Sequence, residues 1–342
     1  MKNYTLLLVL LTLTCGSINA QQGIDVGLSG GITNYFGDLG NDDFMQKSSI
    51  RPGAALTVRN ILSPSQLTGM QYSSFNLEAR FSWQRIGYDE TQQISGMDVN
   101  SLRNYGRGLS FRNDLFGFAT HVSYTYYPNR RLPLHKQSLA LFVYTGIGMY
   151  YGQPQADLFN GSADIRNRYY FWDDGTVRNA PQSSGAGEVI SKDGDYETNL
   201  TEWYTEGQGV SNDVSSTDKM YNDLNWGIPF GAGFRYGLNK KITLSVEFAY
   251  YRFMTDYLDD VSDSYATFSQ IEQRFPNDPV KQELAKYISD PTGKGTNGYV
   301  GPATSPRGNP QLNDSYSMFS FEVAYKLNWV PRKSVTALLS KL

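Results

Sequence analysis

Between residues 225 and 252 the chain alternates position by position. Trp226, Ile228, Phe230, Ala232, Phe234 and Tyr236 interleave with Gly227, Pro229, Gly231, Gly233, Arg235 and Gly237. After a turn at Leu238-Asn239-Lys240-Lys241, Ile242, Leu244, Val246, Phe248 and Tyr250 interleave with Thr243, Ser245, Glu247, Ala249 and Tyr251. A period of two is a β signal, because successive strand side chains leave the sheet on opposite faces. One face is apolar and ends in aromatics, whereas the other is small or polar. A soluble sandwich would scatter Lys and Glu over its polar face. Apolar-out, polar-in strands of this length, flanked by Trp and Tyr, instead predict a membrane barrel.

The pattern recurs until eight strands are counted, at 23–35, 50–59, 75–84, 112–127, 138–151, 226–237, 242–252 and 315–330. In the third, Phe75, Leu77, Ala79, Phe81 and Trp83 oppose Asn76, Glu78, Arg80, Ser82 and Gln84. The fourth is the least regular, because Asp114 and His121 complicate its faces. Connections at 60–71, 128–137 and 238–241 are short, whereas those at 37–49, 87–111, 152–224 and 253–314 are long. Short periplasmic turns and long outer loops are the habit of outer-membrane proteins. The expected fold is therefore all-β: an antiparallel, up-and-down, membrane-spanning barrel of eight strands. The loop 152–224, rich in Gly, Asn and Asp, reads either as partly disordered or as a cap. Within the last loop Asp278 and Pro279 open a helix running to Ile288 and stopping at Asp290-Pro291.

Residues 1–20 read as a cleaved signal peptide: Lys2, an apolar run from Leu6 to Leu13, and Ala20 before Gln21. Cys15 falls inside it, so no disulfide is expected. This divides the chain into a leader at 1–20, a barrel with long outer loops at 21–330 and a periplasmic tail at 331–342. The mean hydropathy of −0.44 looks soluble, yet membrane strands signal weakly because every second residue faces the lumen. Location in the outer membrane of a Gram-negative bacterium follows, with lipid as the immediate surroundings and no nucleic-acid partner.

The inward face carries Arg51, Glu78, Arg80, Arg235, Glu247, Glu322 and Lys326. An eight-stranded barrel is only wide enough for its own side chains, so these are expected to form an ion-pair network in the lumen, with Glu247 serving Arg235 or another cation. An enzyme is not expected. His121 and His135 are the two histidines, no Gly-x-Ser-x-Gly occurs, and no cofactor or metal is assigned. Asp256, Asp259, Asp260 and Asp263 offer oxygens of the kind calcium takes, but they read more simply as a solvated loop. The segments placed in the periplasm hold Arg59, Arg130, Arg131, Lys136, Lys240, Lys241, Arg332, Lys333 and Lys341 without Asp or Glu. Opposite them, the outer loops are net acidic. A basic rim suits docking of an acidic periplasmic partner, and Arg130, Arg131, Lys136, Lys240, Lys241, Arg332 and Lys333 are its candidates. In the tail, Val335, Leu338, Leu339 and Leu342 fall on one helical stripe.

Four segments resemble the PorG-like outer-membrane barrels of the type IX secretion apparatus. They are Asn34-Tyr35-Phe36-Gly37-Asp38-Leu39, Arg51-Pro52-Gly53, Leu109-Ser110-Phe111-Arg112 and Thr255-Asp256-Tyr257-Leu258-Asp259-Asp260-Val261-Ser262. The resemblance covers most of the chain in the same order. It implies a non-enzymatic barrel that contacts periplasmic or outer-membrane protein subunits of a secretion or assembly machine. Loop 152–224 is long for that family. The alternatives are a surface barrel that binds through its outer loops and a lipid-modifying enzyme.

Overall fold

The computed structural model describes residues 24–40, 47–61, 73–91, 104–128, 138–210, 220, 222–295 and 306–327. The expected leader, Arg130, Arg131, Lys136, His135, Arg332, Lys333 and the tail lie outside them. Eight long strands form the barrel: β1 (Ile24–Phe36), β2 (Arg51–Ile61), β3 (Ser73–Asp89), β4 (Ser110–Tyr126), β5 (Leu139–Tyr151), β6 (Leu224–Gly237), β7 (Ile242–Phe253) and β8 (Ser315–Leu327). Each pairs antiparallel with the next, and β8 returns to β1 from Ile24↔Leu327 to Phe36↔Ser315. Closure leaves no edge whose backbone groups would face hydrocarbon unpaired.

β3 and β2 extend beyond their expected ends opposite charged partners. The sequence pattern stops β3 at Gln84, yet the strand continues to Asp89. Arg85 stays in the ladder because Asp114 stands opposite it in register, and their side chains pair at 2.8 and 3.0 Å on the outer surface. That contact also accounts for Asp114 pointing outward, where the Trp83 indole donates to it at 3.0 Å. β2 likewise runs past Arg59, which faces Glu78 across the ladder.

Outward positions form a continuous apolar belt that includes Leu28, Leu56, Phe81, Phe116, Val122, Val143, Phe230, Phe248 and Phe321, all exposed. Tyr236 and Tyr325 flank it near the short-turn end, with Trp226, Tyr151 and Tyr250 near the long-loop end. Exposure of so much apolar area is stable only in lipid. No helix among the described residues is long and apolar enough to cross a membrane; the strands cross it. The protein is an outer-membrane β-barrel.

Inward glycines make room for large neighbours. A Cβ on Gly27 would lie 2.6 Å from the Glu322 carboxyl carbon, and one on Gly231 would strike the Tyr144 ring. Above a charged layer the lumen is filled by Phe142, Tyr144, Tyr150, Tyr251, Phe253 and Tyr316, with the Tyr251 and Tyr316 rings stacked at 4.6 Å. The buried core then passes without interruption into the loops. Leu39, Leu109, Leu158, Phe159, Leu200, Leu258, Val261 and Ile288 belong to the same cluster as Tyr35, Phe111 and Leu115 of the barrel.

The described part of the long loop is therefore a folded cap. Its strand Gln155–Ala156 extends β4 through Arg112↔Gln155 and pairs with Thr198–Asn199. Two helices complete the cap, α1 (Phe268–Arg274) and α2 (Pro279–Ser289). In α2 the Asp278 side chain accepts from the Lys281 amide at 3.0 Å, and Pro279 opens the first turn as its spacing predicts. Helix α1 is absent from the sequence reading, although Thr267 and Gln270 form a reciprocal capping box, a signature visible in the sequence. Tyr287 of α2 reaches the other loop and donates to the Leu158 carbonyl at 2.8 Å.

Because the ladder is closed, the folded chain is expected to fractionate with the outer membrane and to run on detergent gels as a fast-migrating species that slows only after boiling. Recovery in the soluble periplasmic fraction, or a mobility unchanged by heating, would contradict the closed barrel.

Candidate functional site

Two charged layers occupy the lumen. In the lower one, near the short turns, Glu78 Oε1 receives Arg59 Nε at 2.9 Å, Arg235 Nη2 at 2.9 Å and the Ser123 hydroxyl at 2.6 Å. Arg59 also reaches Glu322 at 3.0 Å, and Arg235 donates to the Thr125 hydroxyl at 3.0 Å. One layer of side chains higher, Arg80 holds Glu247 in a two-pronged pair at 2.7 and 2.9 Å. Tyr144 donates to the same Glu247 oxygen at 2.7 Å, and Arg80 lies over the Tyr144 ring. The three guanidiniums of Arg59, Arg80 and Arg235 balance the carboxylates of Glu78, Glu247 and Glu322. Balance is required here, because an unpaired buried charge is far costlier than a paired one.

Five of the seven expected lumen residues thus meet: Glu78, Arg80, Arg235, Glu247 and Glu322. Arg51 does not join them. It stands eight residues above Arg59 on β2, roughly 26 Å at the rise of a strand, and its guanidinium donates to the Ile50 carbonyl at 2.9 Å. Lys326 lies at the short-turn mouth, half-buried and opposite Asp25 in register, and makes no ion pair among the described residues. Arg59 takes the place expected of these two. Expected on the periplasmic rim, it is only 2% exposed. Its parity with Gly53, Ala55 and Thr57 was the available signal. His121 points inward and stacks on Tyr144 at 4.7 Å, with neither ring nitrogen hydrogen-bonded among the described residues.

A second charged site lies at the long-loop mouth, where three of the four segments of the family resemblance converge. Tyr35 and Phe111 meet edge to face at 4.8 Å. The Tyr35 hydroxyl donates to Asp259 and lies 3.3 Å from Asp314. A phenol has one proton, so a hydrogen bond to the second carboxyl needs a proton on Asp314. Asp314 also accepts from the Leu258 amide at 2.8 Å, and Asn113 donates to the Leu258 carbonyl at 2.8 Å. Asp260, fully buried, accepts from Thr205 at 2.6 Å and from Arg307 at 3.2 Å. Glu206 receives the Ser262 and Asp263 amides at 2.8 and 3.1 Å. Arg107 ties the rim together, donating to Glu90 and to the carbonyls of Asp38 and Arg307.

The acidic stretch 256–260 is therefore buried in the mouth, which corrects the expectation of a solvated loop. Asp260 is committed to Arg307 and Thr205, and the four carboxylates whose oxygens suit calcium do not gather into a common ligand group among the described residues. Burial, reinforced by repulsion from Asp38, instead favours the neutral forms of Asp256 and Asp259. Asp256 is pushed up to about 9 by burial and then by Asp38; Asp38 rises to about 6 and Glu206 to about 7, each chiefly through burial. Asp259 and Asp314 also move upward for the same first reason.

At the opposite end the turn Leu238-Asn239-Lys240-Lys241 is exposed. The Asn239 side chain accepts the amides of Lys241 and Ile242 at 2.8 and 2.9 Å, which fixes the turn; Lys240 and Lys241 are exposed, with Lys241 Nζ 5.9 Å from the centre of the Tyr325 ring.

No family model matches the chain, and no curated protein matches it. Several solved structures align over most of it. They include Ail, the attachment invasion locus protein of Yersinia pestis, in complex with the heparin analogue sucrose octasulfate. There the identity is 8% over 90% of this chain and 97% of that one, with a TM-score of 0.31. Neisserial surface protein A aligns at 6% identity over 90% and 98%, with a TM-score of 0.30. A major outer membrane protein from Thermus thermophilus aligns at 10% over 90% and 100%, with a TM-score of 0.32. Likeness at this level adds nothing to the reading of a site.

Two outcomes are expected from the charged layers. Glu247→Leu strands Arg80 and is expected to destabilise the barrel by about 3–5 kcal/mol, read as unfolding in urea from detergent micelles, while Arg80→Met with Glu247→Leu recovers most of the loss. A single variant as stable as the parent would place Glu247 outside the lumen. At the mouth, raised carboxyls mean that the folded cap holds protons which the unfolded chain releases. Their contribution is complete below the ordinary carboxylate range and is lost as pH rises from about 6 (Asp38) to about 9 (Asp256). Resistance of the cap to proteolysis should fall over that window, and Asp256→Asn should flatten the fall.

Proposed function

We propose that this protein is a non-enzymatic anchor in the outer membrane that docks a protein secretion or assembly machine, of the type IX kind, through its periplasmic face. The observation that carries this reading is the filled lumen. Paired charges and stacked aromatics occupy the barrel from Glu78 to Tyr316, which suits a rigid post rather than a conduit. Work is then left to the two ends. On the short-turn end Lys240 and Lys241 are exposed, and the neighbouring turn and tail carry Arg130, Arg131, Lys136, Arg332 and Lys333. A basic rim steers and orients an acidic partner, a protein subunit of the machine. His121 does not suit acid–base catalysis, since it is sealed under Tyr144 away from either mouth.

The folded cap favours a second reading, in which the barrel displays a binding surface outward. The two readings are separated by co-purification from solubilised outer membranes. Reversal of Arg130, Arg131, Lys240 and Lys241 to Glu should release periplasmic partners while heat-modifiability persists. The contact in the parent should weaken with salt, because screening limits exposed charges to about 8 Å at physiological ionic strength. Alanine at the exposed cap residues Arg166, Asp173 and Glu188 should leave those partners bound. Retention by the charge-reversed protein, with loss in the cap variant, would transfer the function to the cap.

A further inference from the structure

The short strands that graft the cap onto β4 bring two carboxylates face to face. Gln155 pairs with Asn199 and Ala156 with Thr198; the next positions along this antiparallel register are Asp157 and Glu197. Like charges directly opposite each other destabilise a strand pair, and here the cost is raised by burial, since Asp157 is 3% exposed. A third carboxylate joins them from the turn Asp193-Gly194, where Gly194 adopts φ 80°. Asp157, Asp193 and Glu197 each present an oxygen within 4.8 Å of the others.

Nearby donors satisfy only part of this charge. Glu197 Oε1 accepts from the Leu158 and Phe159 amides at 3.0 and 3.1 Å and from Thr198 at 2.8 Å. Asp157 Oδ2 accepts from the Gly194 amide at 2.9 Å, and Asp193 accepts from the amides of Gly161 and Asp195 at 2.7 and 3.1 Å. The other oxygens of the two strand residues, Asp157 Oδ1 and Glu197 Oε2, are buried without a hydrogen-bond partner among the described residues. Lys192, the adjacent cation, is engaged by Asp89 at 3.4 Å and by the Ser110 hydroxyl at 3.2 Å. Orphaned buried acceptors beside a third carboxylate favour added positive charge there, whether a proton or a bound cation.

We propose that Asp157, Asp193 and Glu197 form a calcium-class divalent cation site that locks the cap to the rim of the barrel. The donor set is all carboxylate oxygen, with neither imidazole nor thiolate, as hard cations prefer. Calcium binds oxygen at about 2.4 Å, so ligands on opposite sides of the ion stand about 4.8 Å apart, within the span found here. Partial exposure of Glu197 and the exposure of Asp193 leave the remaining positions to water. The ion would join residues 157 and 197, which flank the two short strands, to the turn at 193. It would thereby hold the entry and exit of that arm at β4.

The test uses the full chain in detergent micelles with calcium chloride alone as the probe, followed by calorimetry and by protease protection of residues 152–210. Calcium is expected to bind with half-saturation around 0.1–1 mM, the range of extracellular calcium modules, and to slow cleavage of the arm, with chelator reversing the effect and magnesium acting more weakly. Asp193→Asn and Glu197→Gln should each weaken binding at least tenfold, whereas Asp164→Asn in the same arm should bind as the parent does. Asp193 is exposed, so its variant tests binding without disturbing the core, and heat-modifiability reports that the barrel is intact. Asp157→Asn should make the calcium-free arm more resistant to protease by removing the opposed charge. Absence of binding up to about 10 mM, parental binding by the Asp193 and Glu197 variants, or a calcium-free arm weakened by Asp157→Asn would each overturn the proposal.

Discussion

Every feature of this molecule depends on the requirement that backbone hydrogen bonds close on themselves in lipid. A strand edge in hydrocarbon leaves amide and carbonyl groups unpaired, each at a cost of several kcal/mol. Pairing of β8 with β1 removes the last edge. With only eight strands, closure makes a lumen just wide enough for side chains to fill. The inward face must then combine residues that fill the space with residues small enough to admit them. Gly27 beside Glu322 and Gly231 beneath Tyr144 are the small halves of that arrangement.

A narrow interior also dictates how charge is handled. Arg59, Arg80 and Arg235 occur only with carboxylates in reach, and hydroxyls from Thr57, Ser123, Thr125, Tyr144 and Ser245 add further hydrogen bonds, which leave Glu78 Oε2 and Arg235 Nε without a partner among the described residues. Such networks contribute less to net stability than well-packed apolar residues of the same volume would. Their effect is to specify: a slip of any of these strands by one residue would send its charges into lipid. The ion pairs thus tie the inward and outward faces of each strand to one pairing scheme.

At the long-loop mouth the barrel and the cap share one buried core, because Tyr35, Phe111 and Leu115 at the strand ends pack against Leu39, Leu258 and Val261 from the loops. Acidic groups there are managed in two ways. Asp260 and Glu206 share the one guanidinium of Arg307, and Glu206 is still raised to about 7 by burial. Asp256, Asp259 and Asp314 lack an arginine of their own among the described residues and are displaced toward their protonated forms by burial. Asp157 and Glu197 stand apart, since backbone pairing rather than side-chain preference forces them together.

The alternation of residues along each strand was sufficient to determine eight strands, their antiparallel order, the lipid-facing belt and the turn at 238–241, because a period of two is a local property of extended chain. Helix α2 was equally legible, since its cap lies within three residues of Asp278. Parity also placed Glu78, Arg80, Arg235, Glu247 and Glu322 on the inward side. It could not say which of them pair, because partners such as Arg80 and Glu247 lie on strands that are not neighbours and meet only across the closed lumen. The same limit misplaced Arg59, whose strand continues only because Glu78 stands opposite, and counted in Arg51, which lies at the wrong height. The acidic stretch 256–260 looked soluble because composition records charge and not burial; the fold of the loops over the mouth decided otherwise. The convergence of Asp157, Asp193 and Glu197 likewise depends on the register of two short strands far apart in the sequence, a separation over which local pattern carries no information.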